Sequence, residues 1–298
     1  MKTVFLVLYL IFILVVFNDQ SLIAQQVPDT SFVIKIDEPT YEENGPVVAI
    51  DDGHNNFHKS TTGFRVFGDL LKADGYQVSG INNISEEVLK QIDVLVVANA
   101  LHSSNIGNWK KPVLDAFEPK EINVIYNWVH EGGRLFVVAD HMPFAGAIKG
   151  LASKFGFMYE DGFVLSDNRQ WPPETYRKSD STLLETSFSE GIDSLAGFTG
   201  SALKPPKGAI IIARFPRTHQ LLISDVAWQF DDNTTRMSTK DFVLGASKEV
   251  GKGKVVFFTE AAMFTAQLAQ GKYKVGINSD KAPQNQQFVL NVFQWLSN

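Results

Sequence analysis

The sequence contains no cysteine. In a chain of 298 residues that absence excludes a disulfide framework, a thiolate nucleophile and soft sulfur ligands for a metal. Any nucleophile, base or ligand must come from His, Asp, Glu, Ser, Thr, Tyr or Lys. Positive charge is also scarce: 27 Lys and Arg stand against 33 Asp and Glu, a formal net charge of −6, and no Lys/Arg run occurs. Such a balance gives no electrostatic footprint for nucleic acid, and small or saccharide-like ligands become the default. The longest apolar run lies at the extreme N-terminus, where Lys2 precedes an unbroken stretch from Val4 to Phe17 and "SLIAQQ" follows. That run is shorter than the ~20 residues a bilayer span needs. A positive residue, an apolar segment and a small residue at Ala24 make a secretory signal pattern. The expectation is a signal peptide over residues 1–24 and a periplasmic or secreted product without a stable membrane anchor.

Hydrophobic residues at 44% and charged residues at 20% are ordinary for a globular protein with a sizeable core. Residues 25–45 are polar and broken by Pro28 and Pro39, an N-terminal lead with one strand-like piece at Ser31 to Ile36. From Pro46 onward, apolar runs alternate with helical periodicity. "VVAID" reads as a buried strand, and "GFRVFGDLLKADGY" as a helix with Phe64, Phe67, Leu70 and Leu71 on one side. "QVSGI" and "QIDVLVVANAL" are further strands, the latter apolar on both faces, as parallel strands under two helical layers are. "EPKEINVIYNWVHEGG" is a helix with Pro119 near its start, "RLFVVADH" a strand and "AGAIKGLASKFG" a helix. This succession predicts a single α/β domain over 46–298: a doubly wound, mostly parallel, flavodoxin-like sheet with helices on both faces. Residues 160–208, rich in turn formers, read as an irregular excursion forming a lid or a wall. Strands "AIIIARF", "QLLISD" and "KVVFFTEAAMF" follow, with "KEVGKGK" as a hairpin turn, and "PQNQQFVLNVFQWLSN" closes the chain as a helix.

The phrases "NWVHEGGRLFVVADH", "GKGKVVFFTEAAMF" and "NQQFVLNVFQWL" resemble the class I glutamine amidotransferase-like fold, and within it the non-amidotransferase branch of trehalose-utilisation-type proteins and related domains of unknown function. The resemblance spans about Pro46 to Asn298 and is specific for the fold rather than for an activity. Amidotransferases of this fold carry a cysteine at a strand-to-helix elbow. Here the elbow reads "VVADHMPFAG", with Asp140 and His141, so thiol-based glutamine hydrolysis is excluded and that triad does not carry over.

In open α/β sheets ligands bind outside the carboxyl ends of the strands. Four of the six histidines fall at such tips. Asp51, Asp52, His54 and His58 follow the first strand, Asn99 and His102 the third, Asp140 and His141 the fourth, and Glu260 the last. Imidazoles and carboxylates together suit proton transfer near neutral pH. They also suit a divalent ion that activates water, although His54-x3-His58 is a weak metal motif. The expected catalytic set is His54, His58, Asp140, His141 and Tyr176. Asp52, Asn55, Lys59, Asn99, His102, Arg169, Trp171 and Glu260 are expected to bind substrate, Arg169 as a carboxylate or sulfate clamp and Trp171 as a stacking surface. His130, at a helix C-terminus, reads as structural, and His219 as a turn residue.

The reaction these groups suggest is elimination of water from a uronic acid at the end of an acidic oligosaccharide, by a lyase that needs no cofactor. The preference for dehydration leans on what the family resemblance implies about exported proteins and polysaccharide use. His141 or His54 would be the base, Arg169 or Lys59 the clamp, and His58 or Tyr176 the acid. Two alternatives stay open: metal-assisted hydrolysis of the same substrate class, and a non-catalytic sugar-binding or scaffold module.

Overall fold

The computed structural model describes residues 26–42, 44–167 and 173–298. The residues of the expected signal peptide, and Arg169 and Trp171, lie outside this range. No helix of the described residues is long and apolar enough to cross a membrane.

A central sheet begins with β2 (Val47–Asp51), after the short β1 (Gln26–Pro28). It continues through β3 (Gln77–Ile81), β4 (Val94–Ala98) and β5 (Arg134–Val138). The helices interleaved with these strands are α1 (Arg65–Ala73), α2 (Glu86–Leu89) and α3 (Pro119–His130), followed by α4 (Phe144–Ala147) and α5 (Lys149–Lys154). After α5 come β6 (Met158–Ser166), β7 (Glu174–Arg177), β8 (Ser194–Gly197), β9 (Gly200–Lys204), β10 (Ile210–Arg214), β11 (His219–Ile223) and β12 (Thr235–Ser238). The chain closes with β13 (Val243–Val250), β14 (Gly253–Phe258), β15 (Ala266–Ala269), β16 (Tyr273–Gly276) and α6 (Asn285–Ser297).

β3, β2, β4, β5 and β14 lie side by side and pair in parallel. This is the flavodoxin-like order, with its switch point between β2 and β4. The period-two alternation of side chains explains why both faces are apolar. Val48, Ile50, Val96, Phe136, Val138, Val256 and Phe258 join α1 and α6 on one side. Leu95, Val97, Leu135, Val137, Val255 and Phe257 join Ile125 and Val129 of α3 on the other. Phe136 sits at the centre of the first layer, with ring centroids 5.3 Å or closer between Phe67 and Phe293 and between Phe136 and Phe264. Burying each such ring contributes about 1.5–3 kcal/mol. Gly75, at φ +92°, ends α1 in a conformation open to glycine.

Beyond β14 the sheet changes direction. β13 pairs antiparallel with β14, and β9, β6, β11 and β12 extend the sheet in the same antiparallel manner, while β10 also pairs with β13. The segment 160–208 is thus less an excursion than a supply of strands, for β6 and β9 are full members of the sheet. Among the described residues of this segment, turn formers mark connections between short antiparallel strands. Ser31 to Ile36 is not a strand either; Phe32, Ile34 and Ile36 lie extended against the α1–α6 layer, and their alternation serves packing. The strand of the lead is β1, paired with β15 in a small sheet completed by β16.

Candidate functional site

The tips of β4, β5 and β14 converge on Asp140. Asn99 adopts φ +49°, a left-handed conformation that Asn tolerates better than most residues. There its side-chain amide donates to Asp140 Oδ2 at 2.7 Å and accepts from the Asp140 backbone N–H at 2.9 Å. The backbone N–H of Ala261, just after β14, donates to Asp140 Oδ1. His58 completes the floor with Nε2 4.0 Å from Asp140 Oδ2. Its ring is buried beside Phe64 and Phe57. Glu260 Oε1 accepts from Met263 N–H at 3.0 Å, whereas Oε2 is buried without a hydrogen-bond partner among the described residues. Tyr176 is buried near Glu260, and both face the close approach at Gly197.

Burial sets the protonation of this floor. It pushes the Asp140 carboxyl up to about 6, against the hydrogen bonds from Ala261 and Asn99 that favour the ion. Glu260 lies well above the usual carboxylate range, from burial first and the neighbouring Asp140 second. The Tyr176 hydroxyl is raised by burial and then by Glu260 and Glu174. Burial lowers His58 to about 3 and His141 to about 4. Two neutral imidazoles therefore stand among carboxyl groups that tend to keep their protons.

His58 makes the fold sensitive to acid. Its folded pKa lies below the ordinary 6.5, so the unfolded chain binds the extra proton and stability falls as pH drops from 6.5 towards 3. Each unit of displacement corresponds to about 1.4 kcal/mol. A His58→Leu variant is expected to gain stability relative to wild type steadily across that window, as urea titrations at several pH values would show. A difference independent of pH would contradict a buried neutral His58.

Gly63 is a floor residue that the sequence did not single out. A Cβ there would lie 2.0 Å from His58 Nδ1, so only glycine lets the loop close over the ring. Gly63→Ala is expected to cost about 1–3 kcal/mol, the usual penalty of overpacking, measured by the denaturation midpoint. An unchanged midpoint would mean that His58 moves freely.

His141 stands at the edge of the floor. Its Nδ1 is 2.7 Å from the Met142 carbonyl, which fixes the proton on Nδ1 and leaves the Nε2 lone pair available. The ring stacks on Phe163 at 4.6 Å and meets Trp228 edge-on at 4.7 Å. Phe57, Trp109 and Phe144 continue an aromatic rim, with Phe57 and Trp109 5.8 Å apart. Phe57 and Trp228 remain 45% and 43% exposed, and the rim thus offers ring faces to a ligand. Trp109 and Trp228 escaped the sequence reading because they lie in loops without periodicity. They meet through backbone pairing of the two loops, including Ala227 N–H to Trp109 O at 2.9 Å.

The remaining candidates are placed apart. His54 Nδ1 is 2.9 Å from both Asp51 oxygens, and Nε2 is 3.2 Å from Glu121 Oε1. Burial works against its charge, but the hydrogen bond and charge of Asp51 and then Glu121 outweigh it, so its pKa lies above the ordinary value. With both nitrogens committed and its ring stacked on Phe117 at 4.1 Å, His54 ties the β2 loop to α3. Asp52 accepts from Ser60 N–H at 2.8 Å and from Ser60 Oγ at 2.6 Å, shaping the same loop. Asn55, at φ +49°, donates to the Leu101 carbonyl at 3.1 Å. His102 accepts from Ser104 N–H at 3.2 Å and caps a short turn. Lys59 is half-buried and makes no ion pair among the described residues. His219 is buried, with Nε2 3.6 Å from Glu174 Oε1. Among the described residues no group of three His, Asp or Glu is placed to hold a metal ion.

No protein-family model matches the sequence, and no curated protein matches it. Solved structures share the fold. The mmIFT52 N-terminal domain superposes with a TM-score of 0.59 at 15% identity, over 84% of this chain and 97% of that one. A cytoplasmic protein from Salmonella typhimurium gives 0.51 at 13% identity, over 85% and 99% of the two chains. A ThuA-like protein from Bacteroides uniformis gives 0.43 at 12% identity, over 89% and 94%. At these identities the likeness to the first two defines a shared open α/β fold and nothing narrower.

Proposed function

We propose that this protein is an exported carbohydrate-processing enzyme, a hydro-lyase that removes water from a uronic acid at the end of an acidic oligosaccharide, on a trehalose-utilisation-type variant of the fold. The observation that carries the reading is the pair at the β5 tip. Asp140 and His141 are consecutive, yet their proton affinities are displaced in opposite directions, to about 6 and about 4. Burial disfavours the charged form of each, which leaves a carboxyl that holds its proton and a neutral imidazole at one strand end. The aromatic rim supports a sugar, whose apolar faces stack on such rings.

His141 Nε2 takes the proton alpha to the substrate carboxylate. That carboxylate, drawn next to the ring, favours the imidazolium and so raises its basicity where the proton is removed. The released electron pair forms the carbon–carbon double bond as the bond to the leaving hydroxyl breaks. Asp140, largely protonated below about pH 6, gives that hydroxyl its proton and water departs. Glu260 keeps the floor neutral beside Asp140. His58, neutral at working pH, serves Asp140 rather than acting as the acid, and His54 is a scaffold residue.

The test is incubation of the full chain with a panel of uronate-ended oligosaccharides, followed by the ultraviolet absorbance of an unsaturated uronate and by mass spectrometry for loss of one water. The expected result is both signals from at least one acidic substrate. Ligand binding without either signal across the panel would overturn elimination in favour of a sugar-binding module.

A further inference from the structure

Beside the aromatic rim runs a groove of about 590 Å³, lined by Lys111, Val113, Gly146, Lys149, Asp161 and Asp225 among others. None of these residues belongs to the floor described above. We infer that this groove is an oxyanion subsite, in which Lys111 and Lys149 receive a carboxylate or sulfate on the sugar next to the reacting one. The assignment of the occupant to a sugar rests on the proposed reaction.

Two lysines converge here in a chain with a net charge of −6, and the two aspartates do not neutralise them equally. Asp161 is buried and turned to the backbone, its Oδ1 accepting from Gly146 N–H at 2.9 Å. Burial also raises its pKa, with the charge of Lys149, the Gly146 N–H and the charge of Lys111 opposing that shift. Asp225 meets Lys111 at 3.2 Å, but its side chain is 88% exposed. An ion pair so open to water contributes little and yields readily to an incoming oxyanion. A free oxyanion or one on a sugar finds the same two ammonium groups.

Continuity with the reacting centre comes from the backbone. Lys111 N–H donates to Asp225 O and Ala227 N–H to Trp109 O, both at 2.9 Å, so the ladder that holds Lys111 and Asp225 also holds Trp109 and Trp228 of the rim. Phe163, two residues beyond Asp161 on β6, is the ring on which His141 stacks. A chain of sugars entering over the rim therefore passes along the groove.

Sulfate titration of the full chain, read by amide shifts at Lys111 and Gly146, tests the subsite without turnover. Saturable shifts are expected, with binding weakened about tenfold in Lys111→Ala/Lys149→Ala, the loss of two partly exposed charge contacts. Lys72→Ala, which removes an exposed lysine on α1 far along the chain from the groove, should bind sulfate as wild type does. Absent shifts, or affinity unchanged in the double variant, would overturn the subsite. The sugar as source is read separately: the double variant should raise KM for oligosaccharides with an anionic second sugar and leave those with a neutral one unchanged. An equal effect on both overturns the link to the sugar. If no substrate is ever dehydrated while the sulfate result holds, the proposed reaction fails and the oxyanion groove stands.

Discussion

His141→Ala is expected to lower kcat by about 10²–10⁴, the range for loss of a positioned general base, and to cost about 2–5 kcal/mol in stability for the cavity left by a buried ring. The residue is well suited to such a test. Its Nδ1 is occupied by a backbone carbonyl, so removal of the ring leaves no charged partner unpaired, and kcat is measured where the variant is fully folded. Loss in kcat with KM nearly unchanged would mark a group that acts on the reacting atoms. Turnover within threefold of wild type would remove His141 from the mechanism, and His58 would be the imidazole to examine next. Added imidazole restoring part of the rate would identify the missing function as proton transfer.

Asp140→Ala is expected to cost about 2–5 kcal/mol in stability as well as activity. The substitution leaves the Asn99 amide and the Ala261 N–H buried without their acceptor, and each orphaned donor costs about 1–3 kcal/mol. The deficit should depend on pH. The folded Asp140 pKa, about 6, lies above the ordinary 3.8, so the native chain holds its proton more tightly and wild-type stability falls as pH rises through that interval. The difference between wild type and variant should therefore be larger near pH 4 than at pH 7, in denaturant titrations. Asp140→Asn keeps the shape and one acceptor, and should lose less. Equal stability of Asp140→Ala and wild type at pH 4 would show that the hydrogen bonds to Asp140 contribute nothing to the fold.

The parallel half of the sheet was legible because Val94–Ala98 and Arg134–Val138 are short apolar runs between helical patterns, and burial on both faces leaves that mark on a sequence. The antiparallel half was not. β6 and β9 are separated by turn-rich chain, and their pairing, Tyr159 with Leu203 and Glu160 with Ala202, joins residues far apart along it. The strand-tip rule gathered Asn99, Asp140, His58 and Glu260, which the structure brings together, since it depends only on chain direction. It also gathered His54, whose partner Glu121 lies on a helix 67 residues away. No local pattern reveals that both ring nitrogens of His54 are occupied. The rim was missed for the reverse reason, since Trp109 and Trp228 gain their meaning only from a loop-to-loop pairing.

Asp140 also has a mechanical meaning. Through Asn99 and Ala261 it binds the ends of three adjacent strands into one bracket, so thermal motion of β4, β5 and β14 carries the acid and its supports together and leaves their spacing intact. The loops bearing Trp109 and Trp228 rest instead on backbone pairing at the periphery. The molecule divides into a floor tied by side-chain hydrogen bonds at three strand ends and a rim held by loop-to-loop backbone pairing.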